Sequence, residues 1–475
     1  MTPTRETFGN IPQSSQWAFY ILAVVSTGVF AYGVWRRYQL WRQGQPVGWR
    51  ELGITALRNM PTLLRRRPRP AAPAAAEIDA PPTLTHLSNQ MELKAAIGPG
   101  VKRVLVDGLG QQRVKGRGAA GRAHIALFAG FMLLLLGTTL LELDHIAGWI
   151  SKNLQFHHGT YYVVYEFVLD IAGLFFLLGC GYFLWRRTRR PASVGHRGSD
   201  WFVLGTFIAI GVTGYVIEAL RIVWQQPHGI AAQCSPVGLW LSQAFAGLGE
   251  PGARQWHLAA WWAHALLIFG FFAAIPFTRL FHFIAGPLNL FLSRPAMGQL
   301  QPVTMEEVER TGRVGVNDIR QFTFQQLLSL DACMECGRCE DACPAFATGK
   351  PLSPKRVVQD LKHLMQDTLG AGPTAAAPRA LHGETIAAET LWACTTCSAC
   401  VDICPVRIDQ LRLILDLRRH LANEGGLSGT AATTLRRMQS AANPWGLPAS
   451  ERAAWRPVAT PPPAPAAAAE PASSR

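Results

Sequence analysis

The stretch DACMECGRCEDACPAF, residues 331–346, places four cysteines within eleven positions and follows the last of them with a proline. A second stretch, CTTCSACVDICP at residues 394–405, repeats that spacing. Both read C-x2-C-x2-C-x3-C-P, a pattern in which three thiolates bind one four-iron cluster and the fourth cysteine binds the other cluster. The sequence therefore predicts two [4Fe–4S] clusters in one small domain.

The spacing assigns four ligands to each predicted cluster, three from one motif and one from the other. The first set is Cys333, Cys336, Cys339 and Cys404, and the second set is Cys394, Cys397, Cys400 and Cys343. Zinc fits poorly, because structural zinc sites take their four ligands as two separated pairs. Helical patterns flank both motifs and predict an α-helical domain over residues 315–425. These patterns lie at residues 305–310, 322–330, 353–365 and 408–422.

The chain as a whole is unusually apolar. Charged residues make up 16% of the sequence, against about 25% in an ordinary soluble domain. A helix needs about 20 apolar residues to cross a bilayer. Five runs meet that length, at residues 16–35, 123–143, 161–185, 202–224 and 256–285. The predicted fold class is therefore mainly α, with a five-helix transmembrane bundle joined to the cysteine domain.

The net charge of +14 would suit a nucleic-acid partner, but the placement of the charge points to a membrane. Residues 36–70 hold nine arginines against one acid, and residues 186–197 hold five more arginines; both stretches directly follow apolar runs. Such flanks lie on the cytoplasmic side of a membrane. This predicts a bacterial inner-membrane protein with its N-terminus outside and its cysteine domain in the reducing cytoplasm.

Histidines inside apolar runs are functional hypotheses, because ionisable groups are costly in a bilayer. His124 and His145 lie near the two ends of the second run. His264 and His282 lie in the fifth run, where one continuous helix would place them on one face about 27 Å apart. This run is long and contains Pro276, which favours a kink there or an extension past the membrane face. Histidine pairs of this kind predict one or two b haems with imidazole ligands. An interfacial role for each histidine is the alternative.

We expect His124 to pair with His282, since both lie at the predicted cytoplasmic ends. His264 then needs a partner nearer the outer face. His145 is the first candidate, and the alternatives are His157, His158 and His257. Four ionisable residues lie in the predicted outer half: Glu166, Asp170, Glu218 and Arg221. They are candidates for a quinone pocket. The alternative is that they neutralise one another or the haem propionates.

The membrane half resembles the cytochrome b (gamma) subunit of respiratory nitrate reductase and the related membrane subunit of heterodisulfide reductase. The stretches that carry the resemblance are GRAHIALFAGF at 121–131 and AHALLIFGFFAAIPFTRLFHFIAGPLNLF at 263–291. The resemblance implies haem-ligand roles for His124, His264 and His282. That family's remaining ligand falls on Leu134 of this chain.

The cysteine half resembles heterodisulfide reductase-related iron–sulfur oxidoreductases, including membrane proteins that pass electrons from electron-transfer flavoprotein to quinone. The resemblance rests on residues 321–361, on residues 391–409 and on NPWGLP at 443–448. Many relatives continue past NPWG into cysteine-rich repeats, whereas this chain continues into a Pro/Ala-rich tail. The expectation is that such a module, where needed, is a separate polypeptide.

These observations predict five regions along the chain. They are a first transmembrane helix at 1–35, a cytoplasmic insert with a Pro/Ala linker at 36–122, a transmembrane haem b domain at 123–295, the two-cluster domain at 315–425 and a disordered tail at 456–475. The predicted function is membrane-anchored electron transfer between quinone and a cytoplasmic flavoprotein or cysteine-rich-repeat iron–sulfur subunit. The alternative is a redox protein for the assembly or regulation of a respiratory enzyme.

Overall fold

The computed structural model describes residues 8–45, 98–116, 118–189, 198–227, 230–293, 297–298, 302–370 and 379–451. Within these ranges the regular structure is helical, and the only β-type pairing is two isolated bridges. The predicted mainly α fold is therefore confirmed. The predicted Pro/Ala linker and the predicted tail at 456–475 lie outside the described residues.

Five spans among the described residues are long and apolar enough to cross a membrane, as predicted. Their apolar side chains face outward to a large extent, as expected of helices whose solvent is lipid; Val24, Leu136 and Leu178 are each more than half exposed. The first four spans are helices α1 (Gln13–Trp41), α3 (Gly118–Ile150), α4 (Gly159–Thr188) and α5 (Gly198–Gln225), and short helix α2 (Gln112–Lys115) precedes α3.

The fifth span, Pro236–Phe277, is assembled from several helical pieces. It follows short helix α6 (Ile230–Gln233) and consists of α7 (Pro236–Ser242), a 3-10 segment (Gln243–Leu248), α8 (Gly249–Ala274) and a 3-10 turn (Ile275–Phe277). A second 3-10 turn (Arg279–Phe281) then leads into α9 (His282–Leu292).

The helix over residues 256–285 therefore breaks at Pro276, the position that the sequence marks as a kink, and the five-turn spacing that assumed one continuous helix is wrong. Pro276 lacks a backbone N–H, and Thr278 is extended and accepts a hydrogen bond from the Leu280 N–H at 3.3 Å. The chain consequently stops one helix and starts another. His264 and His282 belong to different helices, so the distance predicted from a single helix does not apply.

Small residues bring the membrane helices close together. A Cβ atom on Gly130 of α3 would lie 2.6 Å from the Ala172 carbonyl oxygen of α4, so the two backbones nearly touch there. Close approach through small residues is typical of helix packing in membranes. Helix α5 packs against α4 and α8, and α1 packs against α8, which completes the bundle.

The cysteine motifs lie among short helices with a leucine- and valine-rich core. These helices are α10 (Met305–Thr311), α11 (Phe324–Ala332), α12 (Arg338–Asp341), α13 (Pro344–Ala347), α14 (Pro354–Gly370), α15 (Ala388–Trp392), α16 (Ala399–Ile403) and α17 (Gln410–Asn423). Residues 419–475 form a separate compact unit, whose described part contains α18 (Gly429–Ala441). The four flanking helices predicted from sequence correspond to α10, α11, α14 and α17.

Helix α9 joins the bundle to the cysteine region by packing against α11. The buried Asn289 amide accepts a hydrogen bond from Gln325 at 2.9 Å and donates to the Val406 carbonyl at 2.7 Å. Part of the predicted insert also contributes. Arg103 donates to backbone carbonyls at the end of α9, and Arg113 donates to the carbonyls of Asp402 and Cys404.

A buried ion cluster ties α1 to the same region. The Asp331 carboxylate, 1% exposed, accepts from Arg37 at 3.1 Å and from the Trp41 indole N–H at 2.9 Å. Lys362 of α14 lies 3.5 Å away. Two cations therefore depend on one buried carboxylate for their counter-charge.

We expect Asp331→Asn to destabilise the protein by about 3–5 kcal/mol, because it removes a fully buried carboxylate and leaves two partly buried cations without their anion. The matched control is Asp367→Asn, which breaks an exposed pair with Arg379 and should leave stability near that of the wild type. Thermal unfolding in detergent measures both variants. Equal melting temperatures for the two variants would contradict a structural role for the Asp331 cluster.

Candidate haem and iron–sulfur sites

The two cysteine motifs share a backbone trace as well as a spacing. In the first motif Glu335 and Gly337 have positive φ, and in the second Thr396 and Ser398 do at the equivalent positions. Each loop leads into a short helix, α12 or α16, and these two helices pack against each other. Turns of this kind aim backbone N–H groups into a concave site, as in many iron–sulfur proteins.

The fold brings the fourth cysteine of each motif to the other motif. The Cys404 thiol lies within electrostatic range of Cys333 and Cys336. Likewise, Cys343 lies within range of Cys394 and Cys400. Each fourth cysteine thus lies near cysteines of the other motif, as the spacing predicts. The assignment of these cysteines as cluster ligands remains a prediction.

The donor set suits iron–sulfur clusters chemically. Burial raises the pKa of the Cys404 and Cys400 thiols to about 12, and it raises the pKa of Cys339 as well. Buried thiolates therefore need a strongly positive partner, such as cluster iron, to hold them deprotonated. Backbone N–H groups already point at sulfur, from Ile408 to Cys404 Sγ at 3.3 Å and from Thr396 to Cys394 Sγ at 3.4 Å.

No group of three or more metal-ligating side chains among the described residues is close enough to hold a single metal ion. A four-iron cluster does not need such a group, since each of its cysteines binds a different iron. The eight cysteines also differ in exposure. Cys397 is exposed, whereas Cys343, Cys400 and Cys404 are buried.

A cavity of about 1550 Å³ runs through the helix bundle. This volume exceeds the roughly 300–1,000 Å³ of most ligand pockets, so one ring-shaped cofactor would not fill it. Its lining is mainly apolar and includes many phenylalanines. The predicted ligands His124, His264 and His282 all line it, and so does Cys336 of the first cysteine motif.

Hydrogen bonds orient two of these three histidines. His282 Nδ1 lies 2.8 Å from the Arg279 carbonyl oxygen, which can only accept, so Nδ1 carries the proton and Nε2 keeps its lone pair. His264 Nδ1 lies 2.8 Å from the Thr213 hydroxyl, which itself donates to the Ala209 carbonyl. Hydrogen-bond acceptors at the nitrogen that does not bind the metal fix the tautomer of metal-binding histidines.

His124 and His282 face the same part of the cavity. The two rings are close enough to interact electrostatically. His124 Nδ1 is buried and has no hydrogen-bond partner among the described residues. Burial also lowers the pKa of His282, which keeps its imidazole neutral and suited to binding iron. The pair therefore fits a haem with two axial imidazoles.

His145, the first candidate partner for His264, lies elsewhere. Its ring packs against Phe8 and Trp149, with ring centroids 4.9 and 5.4 Å apart, and it does not line the described part of the cavity. The alternatives are also absent from the described lining: His157 packs among tyrosines and His257 against Trp224. The structure therefore brings one histidine pair together and leaves His264 without a histidine opposite it among the described lining residues.

The four outer-half candidates have different surroundings. Asp170 accepts hydrogen bonds from the Val237 and Gly238 N–H groups at 2.8 and 3.1 Å, so it holds the start of α7. Glu218 binds buried Arg221 through both carboxylate oxygens. Glu166 lies 3.7 Å from Arg221 and lines the cavity together with Glu218 and Asp170.

A chain of ion pairs that the sequence did not predict lies at the end of the cavity lined by Glu335 and Cys336. This end is called the cysteine-side end. Arg279 pairs with Asp200 at 2.6 Å and with Glu335 of the first cysteine motif at 2.8 Å. Arg187 pairs with Asp200 at 2.9 Å. The available signal was an arginine, Arg279, inside a predicted apolar run, where a charge is costly unless it has a partner.

Comparison with known families agrees with this architecture. Residues 123–299 match the family described as nitrate reductase gamma subunit, and residues 329–408 match the family described as 4Fe-4S dicluster domain. No solved structure gives a significant match to the chain.

Similar proteins include the EtfAB:quinone oxidoreductase of Syntrophomonas wolfei, 28% identical over 95% of this chain and 61% of that protein. The probable iron-sulfur-binding oxidoreductase FadF of Bacillus subtilis is 30% identical over 74% of this chain and 54% of its own length. A probable membrane-anchored ferredoxin of Chromohalobacter salexigens is 37% identical over 41% of this chain and 33% of that protein. The chain thus spans between a third and about three fifths of these relatives. It joins a nitrate reductase gamma-like domain to a 4Fe-4S dicluster domain and is homologous to EtfAB:quinone oxidoreductase and FadF.

Proposed function

We propose that this protein transfers electrons between a donor in the cytoplasm and quinone in the membrane. When bound, two [4Fe–4S] clusters and b haem supply one-electron transfer, and the protein supplies their ligands, spacing and surroundings. The observation that carries the proposal is the single cavity lined by His124, His264, His282 and Cys336. A cysteine motif and the three candidate haem-ligand histidines thus line one cavity.

The positions of the cysteines suggest an order for the two clusters. Cys397 is exposed to solvent, so the set with Cys394, Cys400 and Cys343 lies where a soluble donor can approach. Cys336 lines the cavity, so its set lies beside His124 and His282. Electrons from a donor would reach the Cys397 set first and the Cys336 set second. The homologues suggest a flavoprotein or an iron–sulfur subunit as donor.

The charge pattern supports an orientation in the bacterial inner membrane. The arginine-rich stretches after α1 and α4 favour the cytoplasm. Their described arginines point the same way: Arg37 binds Asp331 of the cysteine region, and Arg187 binds Asp200, which Arg279 links to Glu335. The N-terminus and the Glu166 end of the cavity then face the outer side. Quinone would bind near Glu166, because a protonatable carboxyl there could exchange protons with it.

Reconstitution in liposomes tests the proposal. With reduced electron-transfer flavoprotein as donor and a short-chain quinone as acceptor, we expect quinone reduction that requires the protein. Cys397→Ala should abolish it, while Thr395→Ala in the same loop should not. A wild type that contains clusters and haem but transfers no electrons between quinone and any reduced donor would refute the proposal.

Glu166→Gln tests the proposed quinone end. The exchange keeps the shape but removes a proton acceptor, so we expect quinone reduction to fall about 10²–10⁴-fold, the usual contribution of a general acid or base. Reduction of the haem by dithionite should not change. The control is Glu250→Gln, an exposed carboxylate paired with Arg254. Unchanged turnover in Glu166→Gln would rule out this carboxyl as the proton carrier.

A further inference from the structure

The cysteine-side end of the cavity is built in part from the first cysteine motif. Met334, Glu335, Cys336 and Arg338 line it together with His124 and His282 of the bundle. The side chains between the cluster ligands therefore face the space that a haem on these two histidines would occupy. This surface is formed only where the two domains meet.

Several arginines line this end of the cavity, but their partners differ. Arg187 and Arg279 bind Asp200, and Arg279 also binds Glu335. Arg338 lies within electrostatic range of His124, and its Nη1 atom is buried without a hydrogen-bond partner among the described residues. A buried guanidinium N–H with no acceptor is costly, because it has lost water and gained nothing in return.

The chemistry of the Arg338 guanidinium indicates which kind of group it binds. A guanidinium is a fork of N–H donors that matches a carboxylate, and it stays charged even when buried. A b haem carries two propionate carboxylates at one edge of its ring. The haem that His124 and His282 would hold therefore brings a carboxylate into the cavity that Arg338 lines.

We propose that Arg338 binds a propionate of the haem held by His124 and His282, so that the loop between Cys336 and Cys339 contacts both cofactors. This inference rests on the proposed function. Arg338 acts here as a binding and positioning residue. The contact would also make haem binding strengthen the junction between the two domains, since haem supplies an acceptor for Nη1 that the described residues do not.

The test is the midpoint potential of the haem, measured by optical redox titration of the purified protein. Arg338→Ala removes a cation beside the haem, so the oxidised form is favoured and the potential should fall. The uncompensated propionate should also make the potential more dependent on pH. Arg338→Lys keeps the positive charge but lacks the planar pair of N–H donors, so it should shift the potential less than Arg338→Ala does. Arg356→Ala removes an exposed arginine of α14 and should leave the potential unchanged.

Haem content and melting temperature are measured alongside the potential. A lower melting temperature for Arg338→Ala than for wild type in the haem-loaded protein supports the contact. An unchanged potential in Arg338→Ala, with full haem content, overturns it even if the proposed function holds. If Arg338→Ala does not fold, Arg338→Lys decides, and an unchanged potential with unchanged pH dependence there overturns the proposal. A wild type without haem would instead refute the proposed function.

Discussion

His282→Ala is expected to remove the b-type absorbance of the haem at the cysteine-side end of the cavity. The substitution deletes one of two axial ligands from a site where Nδ1 is already bonded to the Arg279 carbonyl and Nε2 is available. Loss of a residue that only hydrogen-bonds to a metal ligand costs about 10–100-fold in metal affinity or activity, and loss of the ligand itself should cost more. His124→Ala should give the same spectrum.

The matched control is His145→Ala, which changes a histidine outside the described cavity lining. We expect it to keep the reduced-minus-oxidised spectrum of the His124–His282 haem in full. If His145→Ala halves the spectrum, a second haem uses His145, as the sequence predicts. A full b-type spectrum in His282→Ala would contradict the assignment of this histidine as a ligand.

Substitution of single cysteines is expected to sort the eight ligands into two crossed groups. Iron analysis of the wild type should give about eight irons per chain, and loss of one cluster should leave about four. The crossed arrangement makes Cys404→Ala equivalent to Cys336→Ala, although the two residues lie in different motifs. Both variants should retain the cluster of the Cys397 set.

The measurement is the electron paramagnetic resonance spectrum of the reduced protein. Cys404→Ala and Cys336→Ala should share one residual spectrum, and Cys343→Ala and Cys397→Ala should share another. Cys180→Ala, which changes a buried cysteine of α4, is the control and should keep both clusters. A Cys404→Ala spectrum that matches Cys397→Ala would mean that each motif holds its own cluster.

The cysteine ligands and the membrane spans could be predicted because their signals are local. Three cysteines within seven residues can reach one cluster whatever the rest of the chain does, since the spacing is set by the covalent backbone. A run of about 20 apolar residues likewise indicates a membrane helix through its own length and composition. The five spans accordingly appear where the apolar runs lie.

Other parts of the site depended on contacts between distant residues. The charges on Arg279 and Arg338 are visible in the sequence, but their partners are not. The pair of Arg279 with Glu335 joins residues 56 positions apart, and the bond from Arg37 to Asp331 joins residues 294 apart. The break at Pro276 and Thr278 also decides that His282 starts a new helix and faces the same space as His124.

The sequence by itself determined that this chain is helical, has five runs long and apolar enough to cross a membrane, and carries two cysteine motifs with the spacing of four-iron clusters. Only the tertiary structure decided which histidines share a cavity, that a cysteine motif lines one end of it, and that Arg338 Nη1 has no acceptor there among the described residues. The physical reason is that spacing along the backbone limits neighbours a few residues apart, whereas packing alone selects the neighbours of residues far apart in the chain.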